Sequence, residues 1–366
     1  MALPETKSIR RVGCTDDELC NLLNIDHTEL SGIRNGDRRN KLINATAWLF
    51  EKHGDATGDL IAWLAGYSSE SIIRREFGST TAVKRTVFRY HPCDWNGRIS
   101  FSDIDVRKRV RIPESINETV AEETGIHIGD GNLYRNGKST SYKISGNLSE
   151  DYAYYGEYTS NLLRRIYGIE PNKQQNRNKN EYVLILKSKA ISSFKNEVLG
   201  LPFGSKGRIT IPDMIFKKDE LLAACIRGIC DTDFYINNVI RGSFSSKTLV
   251  AQLVKGMKRL GFNPQYFSYT QGIGQKYTTH AVVIPKREIT MYWRMIGFNN
   301  VKHESKIRLG QEYGSCPTHT TTEERLRVLS GKLDFKELSG FSQKRKRSAR
   351  EKIFTTTAET AADLNF

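Results

Sequence analysis

Two aspartates close two similar segments set roughly one hundred residues apart, Glu123-Thr-Gly-Ile-His-Ile-Gly-Asp130-Gly131 and Ile226-Arg-Gly-Ile-Cys-Asp-Thr-Asp233-Phe234. Each reads as the C-terminal end of a helix. A carboxylate there faces the negative end of the helix dipole, which costs about 0.3–1 kcal/mol when exposed. If the two helices pack in parallel about a pseudo-twofold axis, Asp130 and Asp233 meet at one end. Their like charges then repel and raise a pKa. A divalent cation relieves both penalties, and carboxylate oxygens suit a hard ion such as Mg²⁺, or Mn²⁺. Such an ion lowers the pKa of bound water and stabilises a departing phosphate oxygen. In a basic protein the matching substrate is a phosphodiester.

The elements that would hold these carboxylates carry a second shared pattern. Gly125 and Gly228 each stand five residues before the terminal aspartate, Ala121 and Ala224 four residues further back, and Gly129 and Thr232 four residues after each glycine. Small residues at a spacing of four leave a flat stripe on a helix, so two such helices can approach closely.

The same order of elements follows each helix. After Pro113, a helix over 117–130 leads to strands over 132–135 and 140–148, joined through Asn136-Gly137, a hairpin turn pair. A helix over 151–167, strands over 171–178 and 181–187 and a helix over 189–199 complete the unit. A helix over 219–233, strands over 234–239 and 241–245, a helix over 247–260, strands over 264–270 and 276–284 and a helix from 286 repeat it. The fold class is therefore α+β, two αββαββα repeats with antiparallel sheets, at 113–200 and 214–312, connected by a Gly- and Lys-rich segment at 201–213. Residues 1–78 read as short helices. A leucine-rich helix, a turn and a polar helix holding Ser31 and Arg34 before Gly36 suggest a helix-turn-helix reader of DNA. Residues 79–112, with Trp95-Asn96-Gly97, suggest a small β element or a linker. Residues 313–366, carrying Lys344-Arg345-Lys346-Arg347, read as a basic tail, weakly helical or partly disordered.

Composition agrees with a nucleic-acid partner. The 366 residues hold 56 Lys+Arg against 41 Asp+Glu, a net charge of +15, and such a surplus favours polyanions through counterion release. The six cysteines show no metal-ligand spacing. No run approaches the roughly 18 apolar residues of a membrane span, and no signal peptide is evident, so a protein of the cytoplasm, or of a nucleus or organelle where its DNA is kept, without membrane contact is expected.

The paired motifs resemble those of the LAGLIDADG homing endonucleases in their single-chain, two-motif form. The resemblance covers roughly 113–310 and includes Gly297-Phe298-Asn299-Asn300-Val301-Lys302-His303, which looks like archaeal members. It implies two curved four-stranded sheets forming a saddle over double-stranded DNA, in a monomer with internal pseudo-twofold symmetry. It implies that Asp130 and Asp233 are metal ligands, one per strand cleaved, assisted by the backbone carbonyls of Gly129 and Thr232. The product would be a double-strand break with short 3′ overhangs. The family places a basic or amide residue near each metal, and Lys187 and Lys206 are candidates. Strand alternation nominates Tyr134, Arg135, Lys143, Asn147, Gln175 and Arg177 as DNA contacts in the first repeat. In the second it nominates Tyr235, Asn237, Arg241, Tyr269, Gln275 and Tyr277. A one-residue slip in register exchanges the faces.

Departures from the family pattern bear on activity. Phe234 stands where the family has glycine, so the left-handed cap that Gly131 can provide is absent after Asp233. His127, three residues before Asp130, is expected to be packed, not a ligand. The alternative to a cleaving enzyme is a DNA-binding regulator or RNA maturase on the same scaffold. An intein is disfavoured, because Met1 replaces a splicing Cys or Ser and the end lacks a His-Asn junction.

Overall fold

The computed structural model describes residues 15–137, 139–271 and 277–343. The chain divides into two compact units, one of residues 1–112 with 188–193, the other of residues 113–187 with 194–366.

The first unit is helical: α1 (Asp16–Leu23), α2 (His27–Ile33), α3 (Arg38–His53), α4 (Gly58–Leu64), α5 (Ser71–Phe77), α6 (Thr80–Val87) and α7 (Asp103–Arg107). Leu42, Leu49, Leu60, Leu64, Ile73 and Val83 form its fully buried core. Residues 79–112 contain no strand among the described residues, contrary to the β element expected there. Ser79 and Ser102 act as N-caps for α6 and α7, the latter in a capping box with Asp105. Trp95, Asn96 and Gly97 all have positive φ, a tight turn and not a strand pair.

Arg34 is not presented as a DNA reader. Its Nε donates to the Leu64 carbonyl at 3.1 Å, its Nη2 to the Trp63 carbonyl at 3.0 Å and its Nη1 to Asp16 at 2.8 Å. The guanidinium satisfies the open Leu64 carbonyl at the end of α4 and adds a donor to that of Trp63, which also accepts from Gly66 N at 2.9 Å.

The second unit contains the repeats. In the first, α8 (Glu118–Asp130), capped by the Asn117 side chain on Val120 N at 3.0 Å, runs into β1 (Gly131–Asn136) and β2 (Ser139–Asn147). A π-helical turn (Tyr154–Thr159) continues as α9 (Ser160–Tyr167), before β3 (Asn172–Asn176) and β4 (Glu181–Leu186). The helix α10 (Lys189–Ser193) and a π-helical turn (Phe194–Val198) follow. A short helix, α11 (Asp213–Phe216), ends the connection. The second repeat is α12 (Asp219–Asp233), β5 (Phe234–Ile236), β6 (Ile240–Phe244), α13 (Lys247–Arg259), β7 (Gln265–Gln271), β8 (Tyr277–Ile284) and α14 (Ile289–Met295). It is followed by α15 (Val301–Tyr313) and α16 (Thr322–Leu329).

Both sheets are antiparallel and four-stranded, ordered β1-β2-β4-β3 and β5-β6-β8-β7, the same path drawn twice. One face of each is apolar and covered. Leu133, Tyr142, Ile144, Leu184 and Leu186 supply it in the first repeat; Phe234, Ile236, Ile240, Val282 and Ile284 in the second.

The tail is more ordered than its composition suggests. Thr321 and Glu324 form a capping box for α16, and Val328 and Leu338 are buried with Leu309 of α15. Arg325 is fully buried, donating to Ser305 Oγ at 3.0 Å, Thr322 Oγ1 at 2.9 Å and Glu150 at 3.3 Å. Polar residues that satisfy one another leave little apolar periodicity to read. The basic run 344–347 lies outside the described residues. No helix among the described residues is long and apolar enough to cross a membrane.

Candidate active site and nucleic-acid face

The active-site candidates are positioned by α8 against α12. A Cβ added to Gly125 would lie 2.1 Å from the Cys225 carbonyl oxygen, and one on Gly228 would lie 2.2 Å from that of Glu122. The backbones touch where the glycines are, and Ala121 and Ala224 are buried in the same helices. At the C-terminal end, a Cβ on Gly129 would collide with the Thr232 side chain and lie 3.5 Å from Asp233 Cγ. The Thr232 hydroxyl turns back on its own helix, donating to the Gly228 and Ile229 carbonyls at 3.0 Å. The two aspartates thus end adjacent helices at one place.

An ionic lock holds the pair together. Arg227 of α12 donates to Glu122 of α8 at 2.7 and 3.2 Å, and Asn299 adds a bond to Glu122 at 2.6 Å. Asn299 and Asn300 give backbone N–H groups to the buried Asp231 at 2.9 and 3.1 Å, and Asn300 Nδ2 reaches Asp151 at 3.0 Å. The Asn-Asn pair of the Gly297–His303 phrase therefore ties the last segment of repeat two to both motif helices. Its role is invisible in sequence, because its partners lie far away along the chain.

The connecting segment delivers a cation to the aspartates. Phe203 bridges to Leu133 on the edge of β1, and Gly204 N donates to the Leu133 carbonyl at 3.0 Å. This staple turns Lys206 onto the end of α8, where Nζ donates to the carbonyls of Ile128, at 3.1 Å, and of Gly129. It serves two open carbonyls of the last turn and adds positive charge at the negative end of the dipole. Lys187, the other candidate, is exposed beyond the end of β4. The cations acting on the carboxylates are instead Lys206 and, at Asp130, Lys302.

Tyr155 completes the site and was not anticipated. Buried beneath Gly146, where any Cβ would strike its ring at 2.0 Å, it donates its hydroxyl to Asp130 Oδ2. No spacing rule connects residue 155 with residue 130. Burial raises the Asp130 pKa, opposed by the Tyr155 hydrogen bond and by Lys206. Asp233 is pushed up to about 7, first by burial and then by the charge of Asp130, with Lys206 opposing. Burial lowers the Lys206 pKa, against the pull of Asp233 and Asp130.

Gly131 and Phe234 both follow their helices in extended conformation, with φ of −82° and −97°. The left-handed cap expected at Gly131 is absent, so Phe234 withholds nothing that Gly131 supplies. What requires glycine at 131 is space: a Cβ there would lie 2.5 Å from His127 Cα. His127 itself is buried and stacks on Tyr142 at 5.0 Å.

Strand register sorts the DNA-contact candidates. Residues paired across a ladder share a face, and neighbours along a strand do not. Lys143 pairs with Asn132 and stands on the uncovered face with Tyr134, its ammonium 5.4 Å from that ring's centre. Arg135 takes the opposite face and lies 4.1 Å over the Phe203 ring. Gln175 pairs with the buried Tyr182, which puts it on the covered side; Asn172, Gln174 and Asn176 are the uncovered residues of β3. The expected register was off by one there. The Asn147 side-chain oxygen accepts from Ser149 N and Glu150 N, both at 3.0 Å, and from Asn180, so it holds a turn. Arg177 is exposed in the turn after β3. In repeat two, Tyr235 pairs with Arg241 on the uncovered face, and Arg241 lies 5.5 Å from the Tyr269 ring on the same side. Asn237 is exposed in the β5–β6 turn. Tyr277 pairs with Gln271 in β8, and Gln275 lies outside the described residues.

No family model and no curated protein matches the sequence. Among solved structures, the chain is similar to the homing endonuclease I-DmoI in complex with DNA and Mn, at 16% identity and a TM-score of 0.37, over 49% of this chain and 96% of that one. It is also similar to the homing endonuclease I-WcaI bound to its DNA recognition sequence, at 13% identity and a TM-score of 0.33, over 50% and 83% of the two chains. The N-terminal LAGLIDADG domain of DUF199/WhiA is similar at 12% identity and a TM-score of 0.35, over 51% and 87%. The solved structures similar to this chain thus include homing endonucleases and the N-terminal LAGLIDADG domain of DUF199/WhiA.

Proposed function

We propose that the protein is a divalent-metal-dependent endonuclease that binds double-stranded DNA along the uncovered faces of its two sheets, as a monomer, and cuts both strands to leave 3′ overhangs. The observation that carries this reading is the meeting of Asp130 and Asp233, one from each repeat, at the ends of glycine-packed helices in a basic protein. Nothing in the packing of α8 on α12 requires two carboxylates there; burial raises the pKa of both, and the charge of Asp130 adds to the rise at Asp233. The donor set fits a hard divalent ion: Asp130 retains one oxygen beyond its bond to Tyr155, and no hydrogen bond ties down Asp233 among the described residues. Asp130 and Asp233 would hold Mg²⁺ or Mn²⁺, with the Thr232 carbonyl. The Gly129 carbonyl already accepts from Lys206 and is the weaker candidate. The ion would supply activation of water and charge for the departing oxygen. Tyr155 fixes the Asp130 carboxylate in one orientation, and Lys206 offsets negative charge beside a scissile phosphate. Lys143, Arg241, Tyr134, Tyr235 and Tyr269, with Asn172, Gln174 and Asn176, provide charged, stacking and amide groups suited to duplex DNA.

One observation favours a second reading, a DNA-binding protein that does not cut. Lys206 sits on a carbonyl that a metal would use and already offsets the charge of both aspartates. The test is incubation of purified protein with a randomised duplex library and Mg²⁺, beside Asp130→Asn and Asp233→Asn, followed by sequencing of the ends. Staggered breaks at one long site, lost in both variants, are expected. Enrichment of a site by binding that stays uncut in Mg²⁺ and in Mn²⁺ overturns the nuclease in favour of the binder.

A further inference from the structure

A small cavity of about 110 Å³ lies away from the aspartates, between the β5–β6 turn, α14 and α15. Its walls include Lys306, Lys286, Asn237, Asn238, Thr290 and Gln311, and no carboxylate lines it. Lys306 enters from α15 as part of a cluster of three cations. Lys302 is paired with Asp151 at 2.7 Å, and Arg325 with Glu150 at 3.3 Å. Lys306 has no ion pair among the described residues, so the cluster is left with one uncompensated positive charge, and that charge belongs to the residue facing the cavity. A half-buried ammonium is costly to retain without a partner. Burial, with Arg325 and Lys302 nearby, lowers its pKa to about 8.

We infer that this cavity is a binding site for a single phosphate group. The volume is well below the roughly 300 Å³ at which pockets begin to enclose a drug-sized ligand, so only a small group enters. Lys306 provides a point charge, the exposed Lys286 also lines the cavity, and the Asn237, Asn238, Thr290 and Gln311 side chains offer more neutral hydrogen-bonding groups than a halide uses. The group can come from two sources, a backbone phosphate of bound DNA or free phosphate. Asn237 and Asn238 belong to the turn joining β5 to β6, and Ile236 in the cavity wall stands on the sheet face opposite Tyr235 and Arg241, so experiment, not position, separates the two sources.

The test is calorimetric titration of the full-length protein with inorganic phosphate at constant ionic strength. It is run beside Lys306→Gln and beside Lys258→Gln, an exposed lysine of α13 that matches the charge lost. Saturable binding that weakens at least tenfold in Lys306→Gln and is unchanged in Lys258→Gln is expected. Thermal melting in phosphate against chloride provides a second readout: phosphate should raise the Tm of the wild type and not that of Lys306→Gln. No saturable phosphate binding by the wild type, or equal binding by all three proteins, overturns the site. Duplex DNA separates the sources. If Lys306→Gln lowers duplex affinity and reduces the salt slope by about one, the occupant is a backbone phosphate. If duplex binding is unchanged while phosphate binding is lost, the occupant is free phosphate. Neither arm depends on cleavage, so the site stands or falls separately from the nuclease reading.

Discussion

Phe234 lies directly across the β5–β6 ladder from Gly242, whereas in the first repeat Gly131 lies across from Ile144, so bulk and space are exchanged between paired positions. A Cβ on Gly242 would come within 2.4 Å of the Phe234 ring, which is also 5.8 Å from Phe244. The helix ending in Asp233 therefore needs no glycine after it. Gly242→Ala should cost about 1–3 kcal/mol through overpacking, and Phe234→Ala about 3–5 kcal/mol through the cavity left behind. In the Phe234→Ala background the Gly242→Ala penalty should vanish, a coupling that urea denaturation of the double-mutant cycle measures. Additive losses would show that the two positions do not compensate.

The paired helices set a stricter limit. Gly228→Ala would place its methyl 2.2 Å from the Glu122 carbonyl oxygen, against backbone that cannot rotate away. A loss near the upper end of overpacking costs, about 3 kcal/mol, is expected, with separation of Asp130 from Asp233 and loss of cleavage. Gly310→Ala, inside α15 with open space around it, should instead gain about 0.5–1 kcal/mol. Equal effects in denaturant would mean the helix contact is not the constraint.

Acid should weaken the fold through His303. The ring is fully buried, 5.5 Å from Phe298, and burial, followed by the nearby Lys302 and Lys306 charges, holds its pKa well below 6.5. The folded state excludes a proton that the unfolded state accepts. Its contribution is therefore complete above pH 6.5 and is lost as pH falls toward the folded value, by about 1.4 kcal/mol per pH unit. Comparing the pH dependence of unfolding for wild type and His303→Phe isolates it: the difference should grow only below pH 6.5. A difference that is constant with pH counts against a buried neutral ring.

Neighbouring glutamines on β3 should behave differently toward DNA. Gln174 shares the uncovered face with Lys143, whereas Gln175 shares the face of Tyr182. Gln174→Ala should weaken binding to the preferred duplex by about 1–3 kcal/mol, and Gln175→Ala should leave it unchanged. Fluorescence anisotropy on one labelled site decides, and the reverse order would restore the other register.

Much of the site was legible because it is written in local terms. The helix ends at Asp130 and Asp233, the glycines at 125 and 228 and the repeated order of elements depend on spacings of four residues and of two, which sequence displays directly. These features also imply a close helix pair. Register was only partly legible. Along β3 both 174 and 175 are glutamine and both are exposed, so composition cannot tell which sheet face each takes, and the pairing of Gln175 with the buried Tyr182 decides it.

Tertiary structure alone decided the partners. Tyr155 reaches Asp130 because Gly146 leaves room for its ring. Lys206 reaches the end of α8 because the connection is stapled to the edge of β1. Arg34 turns to the last carbonyls of α4, those of Leu64 and Trp63. Each depends on a contact between residues far apart along the chain, and no local pattern encodes such a distance. The sequence determined which carboxylates face each other; the fold decided which neighbours set their orientation and charge.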